Sequence, residues 1–172
     1  MKQNDLKILI SKDDIQKRVA ELAHEISQQK FDIVVGALTG AFVFVADLVR
    51  AMPSKGLKIQ FVKVASYGKG AVRSSFSIQG LELLDVQGKG VLVVDDIFDT
   101  GHTLKNLADA VKDRGAAFVK TCALLDKPSR REVSFDVDYK GFSIENFFVV
   151  GYGLDYGDEY RSLPDICYFP EK

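Results

Sequence analysis

Two short runs restrict the fold more than anything else in the chain: FDIVVGAL (31–38) and VLVV (91–94). Neither shows the polar alternation of a half-buried strand, and both are too short to be helices of a small domain. Strands covered on both faces read this way. Helical patterns separate them. Ser11 followed three positions later by Asp14 marks a helix start, and Ile15, Val19, Leu22, Ala23 and Ile26 recur at helical spacing. AFVFVADLVRAM (41–52) is apolar nearly all round and stops before Pro53, as a buried helix would. TLKNLADAVKDRG (103–115) places Leu104, Leu107, Ala108 and Val111 on one face, with Gly115 just past its end. LKIQFVKVASY (57–67), AFVKTCALL (117–125) and FFVVG (147–151) read as further strands. Strands alternating with helices predict an α/β fold, a central mostly parallel sheet flanked by helices. Ligands of such folds bind at the carboxyl ends of the strands.

A chain of 172 residues is long enough for one well-buried core, so the whole of 1–172 is expected to be a single domain. Its net charge of -1 offers no clustered base for nucleic acid or an acidic membrane surface. The polar start MKQNDLKILISKDD predicts neither a leader nor a membrane anchor. Cys122 and Cys167 form no paired-cysteine motif, and Cys122 sits in an apolar run; a buried thiol in the reducing cytoplasm is expected. His24 and His102 share no metal-ligand spacing. Residues 68–80, rich in Gly and Ser and without periodicity, predict a lid loop that opens and closes.

The chemistry concentrates in VLVVDDIFDTGHT (91–103). Three carboxylates follow a buried strand and precede a helix, although carboxylates resist desolvation and repel one another. The turn DTGHT can cradle an anion: Gly101 permits close backbone approach, Thr100 and Thr103 add hydroxyls, and the helix that follows contributes free N–H groups. Asp95 and Asp96 are acceptors only, matched to the two adjacent hydroxyls of a ribose. Together they describe a ribose 5-phosphate site. No G-x-x-x-x-G-K-[ST] and no G-x-G-x-x-G occurs anywhere in the chain, so neither a P-loop nor a dinucleotide fingerprint is present.

VLVVDDIFDTGHT resembles the donor-binding motif of type I phosphoribosyltransferases. GALTGAFVFVADLV, ASYG, LLDKPSRR and FFVVGYGLDYGDEYRSLP follow the hypoxanthine-guanine phosphoribosyltransferase family in order over nearly the whole chain. The resemblance implies the type I phosphoribosyltransferase fold, with a small hood built from the N-terminal segment and residues 145–172. It implies transfer of 5-phosphoribosyl from 5-phosphoribosyl 1-pyrophosphate to hypoxanthine or guanine. Asp95 and Asp96 would hold the ribose hydroxyls; Asp99, Thr100, Gly101, His102 and Thr103 would bind the 5-phosphate, with Asp99 also handling the purine proton. Lys127 would donate to the 6-oxo group, Phe148 would stack on the base, and the main chain of Val149 would read its edge. Asp155 would border the purine and hold Mg2+, with Asp95 and Asp96 as further metal-side carboxylates. Leu38, Thr39 and Gly40 would form the pyrophosphate loop, Arg161 would contact pyrophosphate, and Ser66 and Tyr67 would lie on the lid. A homodimer or homotetramer is implied, with AFVFVADLV as the interface. The chain departs from the family pattern at Thr39, where a basic residue is usual, and at Asp95, where glutamate is usual.

Two other functional classes use parts of this pattern. A regulatory protein could bind the same donor without turnover, but it would need no base pocket around Lys127 and Phe148. A magnesium-dependent phosphate switch or ATPase would need a phosphate-binding lysine loop, which the chain lacks.

Overall fold

The computed structural model describes residues 6–53, 56–67 and 75–170. In chain order the elements are β1 (Lys7–Ile10), α1 (Lys12–Ile26), β2 (Ile33–Leu38), α2 (Phe42–Ala51), β3 (Lys58–Tyr67), β4 (Ser75–Gln79), β5 (Gly90–Phe98), α3 (His102–Asp113), β6 (Phe118–Asp126), β7 (Tyr139–Ser143), β8 (Val149–Val150) and β9 (Ile166–Tyr168). The main sheet has the order β4-β3-β2-β5-β6-β7. All its neighbours are parallel except β3 and β4.

The apolar runs are explained by the layers on either side. Val34, Leu92, Val94, Cys122 and Leu124 point into a core shared with α1 and α2. Val35, Val91, Val93 and Ala123 point into a second core, filled by Leu104, Leu107 and Val111 of α3. Successive residues of one strand thus meet opposite cores, and neither face can afford a polar side chain. Both cysteines are buried and unpaired.

Two segments depart from the sequence expectation. β5 does not end at Val94 but runs on through Asp95, Asp96 and Ile97 to Phe98, because β6 continues to pair with it as far as Phe98↔Asp126. The first two carboxylates therefore stand inside a strand, not at its mouth. Residues 68–74, most of the expected lid, lie outside the described residues. The remainder is more regular than its composition suggests: 75–79 is β4, paired antiparallel with the end of β3 through Ser66↔Phe76 and Tyr67↔Ser75.

The two ends of the chain meet in a separate three-stranded sheet of order β1-β9-β8. FFVVG supplies only β8, and it joins this small sheet, not the main one. β7, β1 and β9 are short strands that the sequence pattern did not mark.

Two contacts from α1 tie these layers together. Arg18 donates from Nε to the carbonyl of Gly141 (3.1 Å) and from Nη2 to that of Lys140 (2.7 Å), both on the edge strand β7. The helix N-terminus is capped twice: Ser11 Oγ accepts from Asp14 N (3.2 Å), and Asp165, just before β9, accepts from Lys12 N (2.7 Å). A carboxylate at a helix N-terminus satisfies an otherwise orphaned donor and meets the positive end of the helix dipole. Asp165→Ala is expected to destabilise the fold by about 1–2 kcal/mol, read from urea unfolding. An unchanged midpoint would show that the small sheet is not anchored through this cap.

Candidate active site

β2 is followed by a crossover to β3 on one side, and β5 by a crossover to β6 on the other, so the strand order reverses between β2 and β5. Open α/β sheets form their crevice at such a point, outside the carboxyl ends of the strands. The loop after β2 and the acidic end of β5 face each other there. A Cβ placed on Gly40 would lie 1.7 Å from Asp96 Oδ2, and one on Gly153 would lie 2.1 Å from the Gly40 carbonyl oxygen. Gly40, Asp96 and Gly153 are thus stacked in contact, and Gly153 is further held in the left-handed region at φ 101°. The peptide bond between Leu38 and Thr39 is cis, and both of these residues are exposed.

Asp95 is 6% exposed and Asp96 half-buried. The pair is organised by the backbone: Asp96 N–H donates to Asp95 Oδ1 and Ile97 N–H to Asp96 Oδ1, each at 3.0 Å. Burial, then the charge of Asp96, pushes the Asp95 carboxyl well above the ordinary carboxylate range. Burial also pushes Asp96 up, against the opposing effects of its hydrogen bonding with Asp95 and the positive charge of Arg161. The hood residues supply that cation. Arg161 donates from Nη1 to the Gly153 carbonyl (2.8 Å), and its Nη2 pairs with Asp155 (3.0 Å) and Asp158 (3.2 Å).

Past β5 the chain turns through 99–103 into α3. Gly101 sits at φ 92°, where a Cβ would lie 2.5 Å from Val133. As the residue preceding the helix it offers no side-chain cap, so the first N–H groups of α3 are left to another partner. A cleft of about 200 Å³ opens here, lined by Asp95, Asp96, Asp99, Thr100, Gly101 and Thr103 among others. Asp99 does not cap the helix; its Oδ1 instead accepts from Arg130 Nε at 3.2 Å. His102, the first residue of α3, meets Glu132 at 3.2 Å.

β6 ends beside this turn. Lys127 N–H donates to the Phe98 carbonyl (3.0 Å), and Lys127 as a whole is 6% exposed. Burial lowers the affinity of its amine for a proton; the charge of Asp99 opposes that effect, and Arg130 adds to it. Arg131 fastens the same junction. Its guanidinium lies 3.1 Å over the Phe98 ring and donates to the carbonyls of Phe98 (3.0 Å) and Asp99 and to the buried Asp126 carboxylate. Neither Arg130 nor Arg131 stands out in the sequence, where KPSRR reads simply as a turn. The only available signal was two cations just past the end of a strand.

Of the residues marked in the sequence, the structure brings Asp95, Asp96, Asp99, Thr100, Gly101 and Thr103 into one cleft, with Lys127 beside Asp99 and Gly40 on Asp96. Phe148 stands on the hood, 56% exposed, its ring edge-on to Tyr156 with centroids 5.5 Å apart. Val149 is buried and paired with Tyr168. Tyr152 is buried against α2, where its hydroxyl donates to Asp47 at 2.7 Å. For Ser66 and Tyr67 the structure gives the backbone at the end of β3. A larger cavity of about 400 Å³ lies between the start of α1, α2 and the hood, but it shares only Arg161 with the marked residues. Among the described residues no group of three or more His, Cys, Asp or Glu is placed to hold a metal ion. The carboxylates do fit Mg2+ arriving on a phosphate-bearing ligand, since that ion is commonly held by one or two carboxylates together with substrate oxygens.

Comparison with known proteins agrees with this geometry. Residues 10–157 match the family model for the phosphoribosyl transferase domain. The chain is 46% identical to the hypoxanthine-guanine phosphoribosyltransferase of Aquifex aeolicus, over 94% of this chain and 93% of the relative. It is 42% identical to that of Bacillus subtilis, over 96% and 94%. Among solved structures, the hypoxanthine phosphoribosyltransferase of Staphylococcus aureus superposes with a TM-score of 0.89 at 35% identity, covering 97% of this chain and 93% of the other. An acidic cleft at the reversal of a parallel sheet and likeness over nearly the whole chain lead to one conclusion: the chain belongs to the phosphoribosyltransferase family, on the branch of its hypoxanthine-guanine relatives.

Proposed function

We propose that the protein transfers 5-phosphoribosyl from 5-phosphoribosyl 1-pyrophosphate to hypoxanthine or guanine, releasing pyrophosphate and the nucleoside monophosphate in purine salvage. A ring nitrogen of the base bonds to the anomeric carbon as the bond from that carbon to pyrophosphate breaks. The observation that carries this reading is the buried Lys127 beside Asp99 at the lip of the phosphate turn. A protein that only sensed the donor would have no use for it.

The residues divide the work by their chemistry. The open N-terminus of α3, with Thr100 and Thr103, takes the 5-phosphate. Asp95 and Asp96 accept from the ribose hydroxyls, and Asp99 handles the purine proton. Lys127 has donors only, so it suits a 6-oxo group and gains nothing from an amino group. Phe148 offers its ring to the base and Val149 its main chain. Gly40 and Arg161, both against Gly153, frame the pyrophosphate. Asp155, with Asp95 and Asp96, would hold Mg2+, which supplies charge stabilisation for the departing pyrophosphate. A lid over residues 68–80, most of it outside the described residues, would exclude water from the reacting centre, with Ser66 and Tyr67 at its root. The two buried free thiols fit the reducing cytoplasm, and no helix among the described residues is long and apolar enough to cross a membrane.

Three outcomes are expected. Purified protein with Mg2+ and donor should turn over hypoxanthine or guanine and leave adenine essentially unused, and Lys127→Ala should remove most of the 6-oxopurine activity. A site built to hydrogen-bond one substituent rejects its analogue by about 10⁴–10⁵-fold, so comparable rates with adenine would overturn the assignment.

Asp95→Asn should trade function for stability. The folded chain holds the Asp95 proton more tightly than the unfolded chain does. The stability Asp95 contributes is therefore complete below the unfolded value of about 4 and is lost as pH rises through the raised folded value. At pH 7.5 the asparagine variant should melt above the parent, and the difference should shrink as pH falls toward 4. Donor kcat/KM should drop about 10- to 100-fold, the loss of one charge-assisted hydrogen bond. A variant less stable at pH 7.5 would contradict the burial argument.

The protein is proposed to be a homodimer or homotetramer, with the segment around α2 at the contact. Phe42 of α2 and the adjoining Leu38 are exposed apolar side chains that such a contact would cover. Sedimentation at assay concentration should show at least a dimer, and a monomer would count against it.

A further inference from the structure

We infer that Arg130 is a positioning residue for Asp99: it holds one carboxylate oxygen so that the other stays aimed into the cleft, where the proton of the incoming purine is handled. This rests on the role proposed above for Asp99 and goes beyond it by naming what sets that side chain's geometry.

The backbone of Asp99 is fixed by its neighbours. Lys127 N–H and the Arg131 guanidinium both donate to the Phe98 carbonyl, and Arg131 also donates to the carbonyl of Asp99 itself. Arg131 is committed in turn to the buried Asp126 carboxylate and to the face of Phe98. None of these contacts controls the Asp99 side chain, which could still rotate freely at the lip of the cleft. Arg130 closes that freedom. It stands at the end of the short 3-10 turn Pro128–Arg130, whose first residue has a backbone fixed by its ring, and its Nε reaches Asp99 Oδ1 at 3.2 Å. Among the described residues Oδ2 takes no hydrogen bond, and Asp99 lines the cleft.

Stability is a poor explanation for the pair. Arg130 and Asp99 side chains are 48% and 38% exposed, and ion pairs this open to water contribute about 0–1 kcal/mol. Orientation is a better one. A proton acceptor must lie within hydrogen-bonding reach of the proton it takes, and a small misplacement can lower turnover by about 10²-fold. The guanidinium uses a single N–H here, so a lysine ammonium can replace that contact without the geometry lost at a two-bond fork.

The test is a kinetic cycle of four variants: Arg130→Gln, Arg130→Lys, Asp99→Asn and the double Arg130→Gln/Asp99→Asn. Asp99→Asn should lower kcat about 10²–10⁴-fold. Arg130→Gln should lower kcat about 10- to 100-fold with little change in KM for donor or purine. Arg130→Lys should recover most of that loss, and the double variant should be no slower than Asp99→Asn alone. Thermal unfolding of Arg130→Gln should match the parent closely. A silent Arg130→Gln, a lysine variant as slow as the glutamine one, or losses that multiply in full in the double variant would overturn the inference while leaving Asp99 in its role. Normal turnover by Asp99→Asn would remove the role of Asp99 and the inference with it.

Discussion

Everything at the site depends on the parallel register of β2, β5 and β6. Pairing Gly36↔Val94 and Val94↔Cys122 sets the three strands level, so the loops that follow them emerge at one edge of the sheet. The loop at Gly40, the turn at Asp99 and the side chain of Lys127 are far apart in sequence and come together only because of that alignment. A slip of one residue would turn every apolar side chain of a strand to the opposite core. It would also carry the carboxylates of β5 away from Gly40. The two apolar cores therefore guard the geometry of the site as well as the stability of the fold.

The electrostatics are arranged as two flanks around a strained centre. Asp95 and Asp96 are adjacent, poorly hydrated and mutually repulsive, a combination that a fold under selection for stability alone would discard. Their compensation is partial: backbone N–H groups bind them locally, and Arg161 faces Asp96 from the hood. On the other flank Lys127, Arg130 and Arg131 surround Asp99. The acids thus lie between one cation of the hood, Arg161, and three cations that follow β6.

Much of this was legible in the sequence, for a physical reason. Strands covered on both faces are apolar throughout, so β2 and the first half of β5 announced themselves, and α1 and α3 carried their burial pattern openly. DDIFDTGHT was legible because three carboxylates beside a glycine turn have no structural explanation. What was hidden depended on partners distant in the chain. The continuation of β5 through Asp95 and Asp96 is dictated by pairing with β6, not by local propensity, which disfavours aspartate in strands. The strands β1, β9 and β7 are too short to show a period. Arg130 and Arg131 looked like surface charge because nothing in KPSRR reveals that the turn folds back onto Phe98 and Asp99.

Arg18 has a consequence away from the site. β7 is the last strand of the main sheet, and an uncovered last strand offers its free main-chain groups as a template for a strand of another molecule. By placing its guanidinium on the carbonyls of Lys140 and Gly141, with Glu21 and Glu25 gathered around the same charge, α1 occupies acceptors that an intruding strand would need. A strand of another molecule could pair with those carbonyls only by displacing Arg18.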